Sequence, residues 1–79
     1  MAVVRFFAGA AEAAGTATAT LDAACIGDLR SLLGERHGAG FSLILSRCSL
    51  LVNGIRAADD EVPLSALDTI DVLPPFAGG

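Results

Sequence analysis

Hydrophobic and polar positions change period several times along this chain, and each change marks an element. Residues 2–8 are rich in β-branched and aromatic side chains (Val3, Val4, Phe6, Phe7) and predict a first strand. An Ala-rich turn of helix over 10–14 closes at Gly15, a residue suited to a left-handed helix cap. Thr16, Thr18 and Thr20 then alternate with small residues up to Leu21. That period of two marks a solvent-washed edge strand, hairpinned to the first. From 26 to 37 the period lengthens: Ile26, Leu29, Leu32 and Leu33 share one helical face, while Asp28, Arg30 and Glu35 point away. Asp28 near the start and Arg36 and His37 near the end complement the helix dipole, and Gly38 stops the helix.

The second half is more punctuated. A short helix over 41–47 sets Phe41, Leu43, Ile44 and Leu45 against the core or a neighbouring loop. Residues 49–53 predict a strand, and Asn53-Gly54 is the strongest short hairpin signal, with 55–57 as the return strand. An acidic loop over 58–63 and a turn of helix over 64–67 lead to a last strand over 68–73. Pro74-Pro75 ends that strand, because proline brings no N–H to the ladder. A helix between two hairpins, packed across one face of a mixed sheet of about five strands, is an α+β, β-grasp arrangement. Its first and last strands lie side by side and parallel.

Length and composition narrow the function. Seventy-nine residues make one domain, and a chain of this size buries only about 60% of its unfolded surface. A net charge of −4 argues against nucleic acid and anionic membranes as partners and suits a basic protein surface. No apolar run approaches the ~20 residues that span a bilayer, and Glu12 interrupts the apolar N-terminus, so the expected location is cytoplasmic. Cys25 and Cys48 are too few for a disulfide framework, lack metal-ligand spacing and predict free thiols. The basic residues are Arg5, Arg30, Arg36, Arg47 and Arg56, with no lysine, so the chain cannot accept lysine-linked copies of itself. Asp59-Asp60-Glu61 reads as a solvated acidic loop, and His37 as a helix-end residue. No carboxylate pair, Ser/His/Asp set, phosphate loop or metal site is visible, so independent catalysis is not expected.

The chemistry gathers at the end of the chain. A domain over 1–75 is followed by a flexible tail over 76–79: one bulky residue, Phe76, then Ala77, Gly78 and Gly79. Two prolines hold φ near −65° and project the tail away from the body. Two glycines add entropy to be lost on capture, yet they let the tail enter a narrow channel and leave the Gly79 carbonyl uncrowded. A carboxylate is a poor electrophile; joined to AMP it becomes an acyl donor.

These features together resemble the MoaD/ThiS family of ubiquitin-like sulfur carrier proteins, most closely its molybdopterin synthase branch. The resemblance covers essentially the whole chain. It rests on Val4-Arg5-Phe6-Phe7-Ala8 with Glu12-Ala13-Ala14-Gly15, Gly27-Asp28-Leu29-Arg30, Leu51-Val52-Asn53-Gly54, and above all Leu73-Pro74-Pro75-Phe76-Ala77-Gly78-Gly79. It implies that an E1-like adenylating enzyme uses ATP to activate the Gly79 carboxylate. A persulfide from a sulfurtransferase then displaces AMP and leaves a thiocarboxylate. The tail (Phe76, Ala77, Gly78) enters a large, MoaE-like synthase subunit, where the sulfur goes into molybdopterin. The chain would be the sulfur-donating small subunit of a hetero-oligomer, with no permanently bound cofactor.

Strand parity suggests where partners dock. With Val4 and Phe6 inward, Val3, Arg5 and Phe7 face out; with Ile70 and Val72 inward, Thr69, Asp71 and Leu73 face out. Phe7, Leu51, Arg56 and Leu73 are the expected docking patch beside the tail. The alternatives are a sulfur carrier for thiamine thiazole or cysteine, a ubiquitin-like protein modifier, and a passive interaction module.

Overall fold

The computed structural model describes residues 1–75, and the expected tail residues Phe76, Ala77, Gly78 and Gly79 lie outside the described residues. The elements in chain order are β1 (Ala2–Phe6), α1 (Gly9–Ala14), β2 (Thr18–Leu21), α2 (Ile26–His37), α3 (Ala39–Ser46), β3 (Ser49–Val52), β4 (Ile55–Arg56) and β5 (Thr69–Leu73). They form one five-stranded sheet in the order β2-β1-β5-β3-β4. The central pair, β1 and β5, is parallel, with Val4 opposite Ile70 and Phe6 opposite Val72. The other pairings are antiparallel.

Alternation along β1 and β5 sends Val4, Ile70 and Val72 to complete burial and Phe6 nearly so. Against them pack Ala10 of α1, Ile26, Leu29 and Leu33 of α2, and Phe41 and Leu45 of α3. The main helix thus shares its face of the sheet with two shorter ones. Every buried residue of this core is hydrophobic. His37, at the end of α2, lays its ring edge-on to Phe6 at 6.2 Å and tilted against Phe41 at 4.9 Å, tying helix α2 to β1 and α3.

Three expectations need correction. The first strand ends at Phe6, not at residue 8, because the chain turns at Ala8 (φ 49°, ψ −126°) so that its carbonyl can accept the Ala11 and Glu12 N–H groups. An alanine at positive φ is strained, and the pattern of residue types carries no sign of it. No helix forms over 64–67. There the Asp68 carboxylate accepts the Ser65 N–H (2.8 Å), Asp68 N–H donates to the Ser65 carbonyl (3.1 Å), and Leu67 is left 94% exposed. In α3 Phe41 and Leu45 are buried, but Leu43, expected against the core or a neighbouring loop, is left 58% exposed.

Local chemistry explains two tight places. Asn53 and Gly54 both take positive φ, 51° and 85°, as a two-residue type I′ hairpin turn demands. Asn53 also reaches across to the start of β5. Its Oδ1 accepts the Thr69 N–H (3.0 Å) and its Nδ2 donates to Asp68 (2.9 Å). At the start of α2, Cys25 occupies the N-cap without a side-chain cap. The orphan N–H groups of Ile26 and Gly27 are taken instead by the carbonyls of Val62 and Asp60 (3.0 and 2.9 Å). This close approach requires Gly27: a Cβ there would stand 3.2 Å from Asp60 Cβ and 3.3 Å from its carbonyl oxygen. Among the described residues no helix is long and apolar enough to cross a membrane.

The Ser65 backbone N–H, then the Asn53 amide, hold the Asp68 carboxyl below its ordinary pKa. A carboxyl depressed on folding contributes stability above its unfolded pKa and loses it as pH falls through the folded one. Urea unfolding at neutral pH and at about pH 3 therefore gives a loss of stability for the wild-type chain. The same loss is smaller for Asp68→Ala, which starts less stable at neutral pH.

Candidate functional site

β5 carries the chain outward, and its parallel neighbour β1 ends at the same edge of the sheet. Phe7 N–H still donates to the Val72 carbonyl (3.2 Å), one residue past the end of β1, which brings Phe7 beside Leu73. Phe7 is 38% exposed and Leu73 is half-buried, both at the edge where Pro74 and Pro75 leave the sheet.

Leu51 and Arg56 pair directly across β3 and β4 and share the open face. In register they lie one row away from the Phe7–Leu73 pair. Leu51 stands opposite Asp71, and Asp71 opposite Arg5, so one row across the face reads Thr18, Arg5, Asp71, Leu51, Arg56. The next row toward the tail holds Phe7, Leu73 and Ser49.

The centre of the face is therefore an ion pair. Arg5 Nε donates to Asp71 Oδ1 at 2.6 Å and one terminal guanidinium nitrogen to Oδ2 at 2.9 Å, a two-pronged contact. The guanidinium also lies 5.8 Å from the centroid of the Phe7 ring. The hydrogen bond to Asp71, and then its charge, push Arg5 further above its ordinary pKa. Arg5 remains about half exposed, so the pair is worth little to stability. What it does is hold a cation and the Phe7 ring in a set place. Sequence parity had turned both residues outward; the missing step was the register that sets opposite charges on adjacent strands.

On the far side of the sheet, Gly9, Ile44, Arg47, Pro74 and Pro75 line a cleft of about 240 Å³ at the root of the tail. A more open and polar depression lies between Arg30 and residues 58–61, where Arg30 Nε meets Asp60 Oδ1 at 3.0 Å. Its acidic loop is spent on closing the N-terminus of α2. Among the described residues no three of His, Cys, Asp and Glu converge as a metal site would need.

Solved structures place this architecture among the ubiquitin-like β-grasp proteins. Small archaeal modifier protein 1 from Haloferax volcanii is 28% identical, with 99% of this chain and 98% of that chain covered at a TM-score of 0.77. The solution structure of small archaeal modifier protein 1 from Methanosarcina acetivorans is 26% identical, with 99% and 95% covered at a TM-score of 0.82. A chain in the complex of subunits 1 and 2 of the molybdopterin-converting factor from Helicobacter pylori is 28% identical, with 99% and 97% covered at 0.75. No curated protein matches the chain. The sequence profile of the ThiS family matches residues 4–79, and the chain belongs to that family. It is thus of the kind that comprises small sulfur carriers and ubiquitin-like modifiers.

Both cysteines are free thiols. Burial pushes the Cys48 thiol above its ordinary pKa, and the positive charge of Arg30 offsets only part of that. Its Sγ also donates to the Ile44 carbonyl (3.2 Å). Half-buried Cys25 is the more accessible. Brief treatment with iodoacetamide at neutral pH should alkylate Cys25 first and Cys48 only on unfolding, as peptide mass mapping will report.

Proposed function

We propose that this chain is a sulfur carrier whose Gly79 carboxylate is its working group. The carboxylate attacks the α-phosphorus of ATP on an E1-like adenylating enzyme, forming the acyl-adenylate and releasing pyrophosphate. Persulfide sulfur supplied by a sulfurtransferase attacks the acyl carbon, AMP leaves, and cleavage of the S–S bond by a thiol frees the thiocarboxylate. The tail, Phe76 to Gly79, then enters the large subunit of a molybdopterin synthase-type complex, where the thiocarboxylate sulfur is the nucleophile. The carrier brings sulfur and a docking surface; the partner brings the pocket and the acid–base groups.

The observation that carries this reading is the parallel β1–β5 pairing. It sends Pro74-Pro75 off the sheet beside Phe7 and Leu73, so a partner that grips the open face lies next to the tail. A second reading is favoured by the likeness to the two archaeal modifier proteins. In it the same activated carboxylate is joined to amines on other proteins. Carriers of sulfur for thiazole or cysteine share the chemistry and differ in the partner.

Intact-mass measurement after incubation with an E1-like enzyme, ATP and a sulfur source should show one oxygen exchanged for one sulfur. A chain extended by one residue beyond Gly79 should show no exchange. Exchange in the extended chain, or none in either, overturns the carrier reading; isopeptide adducts in cells establish the modifier reading. In cells lacking the chain, loss of molybdenum-enzyme activity separates molybdopterin synthesis from a thiazole or cysteine requirement.

Replacing Phe7 with Asp should abolish capture by the large subunit, read by titration calorimetry, and leave the circular dichroism spectrum unchanged. Phe7 is 38% exposed and lies outside the hydrophobic core cluster. Undiminished binding removes Phe7 from the docking face.

A further inference from the structure

Helix α3 has an unusual division of its apolar side chains. Phe41 and Leu45 enter the core, while Leu43 is left 58% exposed and Ile44 38%. Ile44 lines the cleft at the root of the tail together with Gly9, Pro74 and Pro75, and Arg47 stands at the same cleft. Arg47 is exposed and makes no ion pair among the described residues, whereas Arg5 and Arg30 are both paired. Exposed apolar side chains scattered singly carry no message, but here Ile44 lines a cleft beside a cation, and Leu43 precedes it on the same helix.

We infer that this cleft is a second lip of the docking interface, on the side of the sheet opposite Phe7. On it the E1-like adenylating enzyme that takes up the tail seats an apolar side chain flanked by a carboxylate. The inference rests on the carrier reading, and length is what links the cleft to the partner. Four residues, 76–79, follow Pro75, and an extended chain spans at most about 3.3–3.6 Å per residue. A pocket that reacts at Gly79 must therefore bring its rim within roughly 14 Å of Pro75. Pro75 is itself a wall of the cleft. A channel that encloses a tail surrounds its root, and the open sheet face with Phe7 and Leu73 supplies only one side. Ile44 and Leu43 supply the apolar contact on the other. Arg47 adds charge selection, favouring a carboxylate although the chain as a whole is acidic.

The test is steady-state adenylation of the full chain by an E1-like enzyme that loads it, read as pyrophosphate release against carrier concentration. Ile44→Asp, Leu43→Asp and Arg47→Glu should each raise KM, Ile44→Asp by roughly tenfold as for loss of an interface anchor, with kcat unchanged. Leu67→Asp is the control: Leu67 is 94% exposed and precedes β5, at the far end of the strand from the tail. It should leave KM as it is. Circular dichroism checks each variant, and if Ile44→Asp fails to fold, Arg47→Glu decides alone. An unchanged KM overturns the inference. So does a lowered KM, which would mean that the chain's own Phe76 occupies the cleft. A concentration-dependent dimer in sedimentation, lost in Ile44→Asp, overturns it in favour of a second copy. If the wild-type chain is not adenylated at all, the carrier reading fails and takes this inference with it.

Discussion

The parallel contact between β1 and β5 is the constraint from which the rest of the molecule follows. Parallel neighbours cannot be joined by a tight turn, so everything between Phe6 and Thr69 is in effect one long crossover. Two antiparallel partners then flank the central pair, β2 outside β1 and β3 outside β5. The three helices have only one face left on which to bury their apolar stripes. Val4, Ile70 and Val72, fully removed from water, are where this closure gains its free energy.

That pairing also makes the two faces unlike each other. One is a dry seam of aliphatic and aromatic side chains closed by Phe6, His37 and Phe41. The other is a row of polar and apolar groups in fixed register, centred on Arg5 and Asp71. The direction of β5 sets which edge Pro74 and Pro75 leave from, and the direction of β1 puts Phe7 at that edge. A chain with an acidic net charge thus gathers Arg5 and Arg56 on the open face, while Asp59, Asp60 and Glu61 lie in a loop that closes a helix. Net charge alone therefore says little about how charge is distributed between the open face and the loops.

The clearest signals in the sequence were those carried by local chemistry. Helix α2 runs over residues 26–37 as its apolar spacing and dipole residues require, and Asn53-Gly54 turns as its residue types demand. Where the structure departs from these signals, one particular hydrogen bond, or the limited reach of a short element, has overridden the preference of the residue types. Residues 64–67 have the composition of a helical turn, yet Asp68 draws the chain into a hydrogen-bonded bend. Leu43 looks like a core residue by hydropathy, but in α3 only Phe41 and Leu45 enter the core. Ala8 takes a backbone geometry that its side chain disfavours, at the turn where its carbonyl accepts the first N–H groups of α1.

The sequence by itself determined the order of the five strands and of the helices before β3, the inward parity of Val4, Phe6, Ile70 and Val72, and the family to which the chain belongs. Periodicity, turn residues and short motifs are properties of neighbours along the chain, so they survive without coordinates. Tertiary structure alone decided that Asp71 stands between Arg5 and Leu51, that Asn53 clamps the start of β5, and that Ile44, Arg47 and Pro75 enclose one cleft. Each of these joins residues far apart in sequence. Their adjacency depends on strand register and helix placement, which are settled only when the whole core closes.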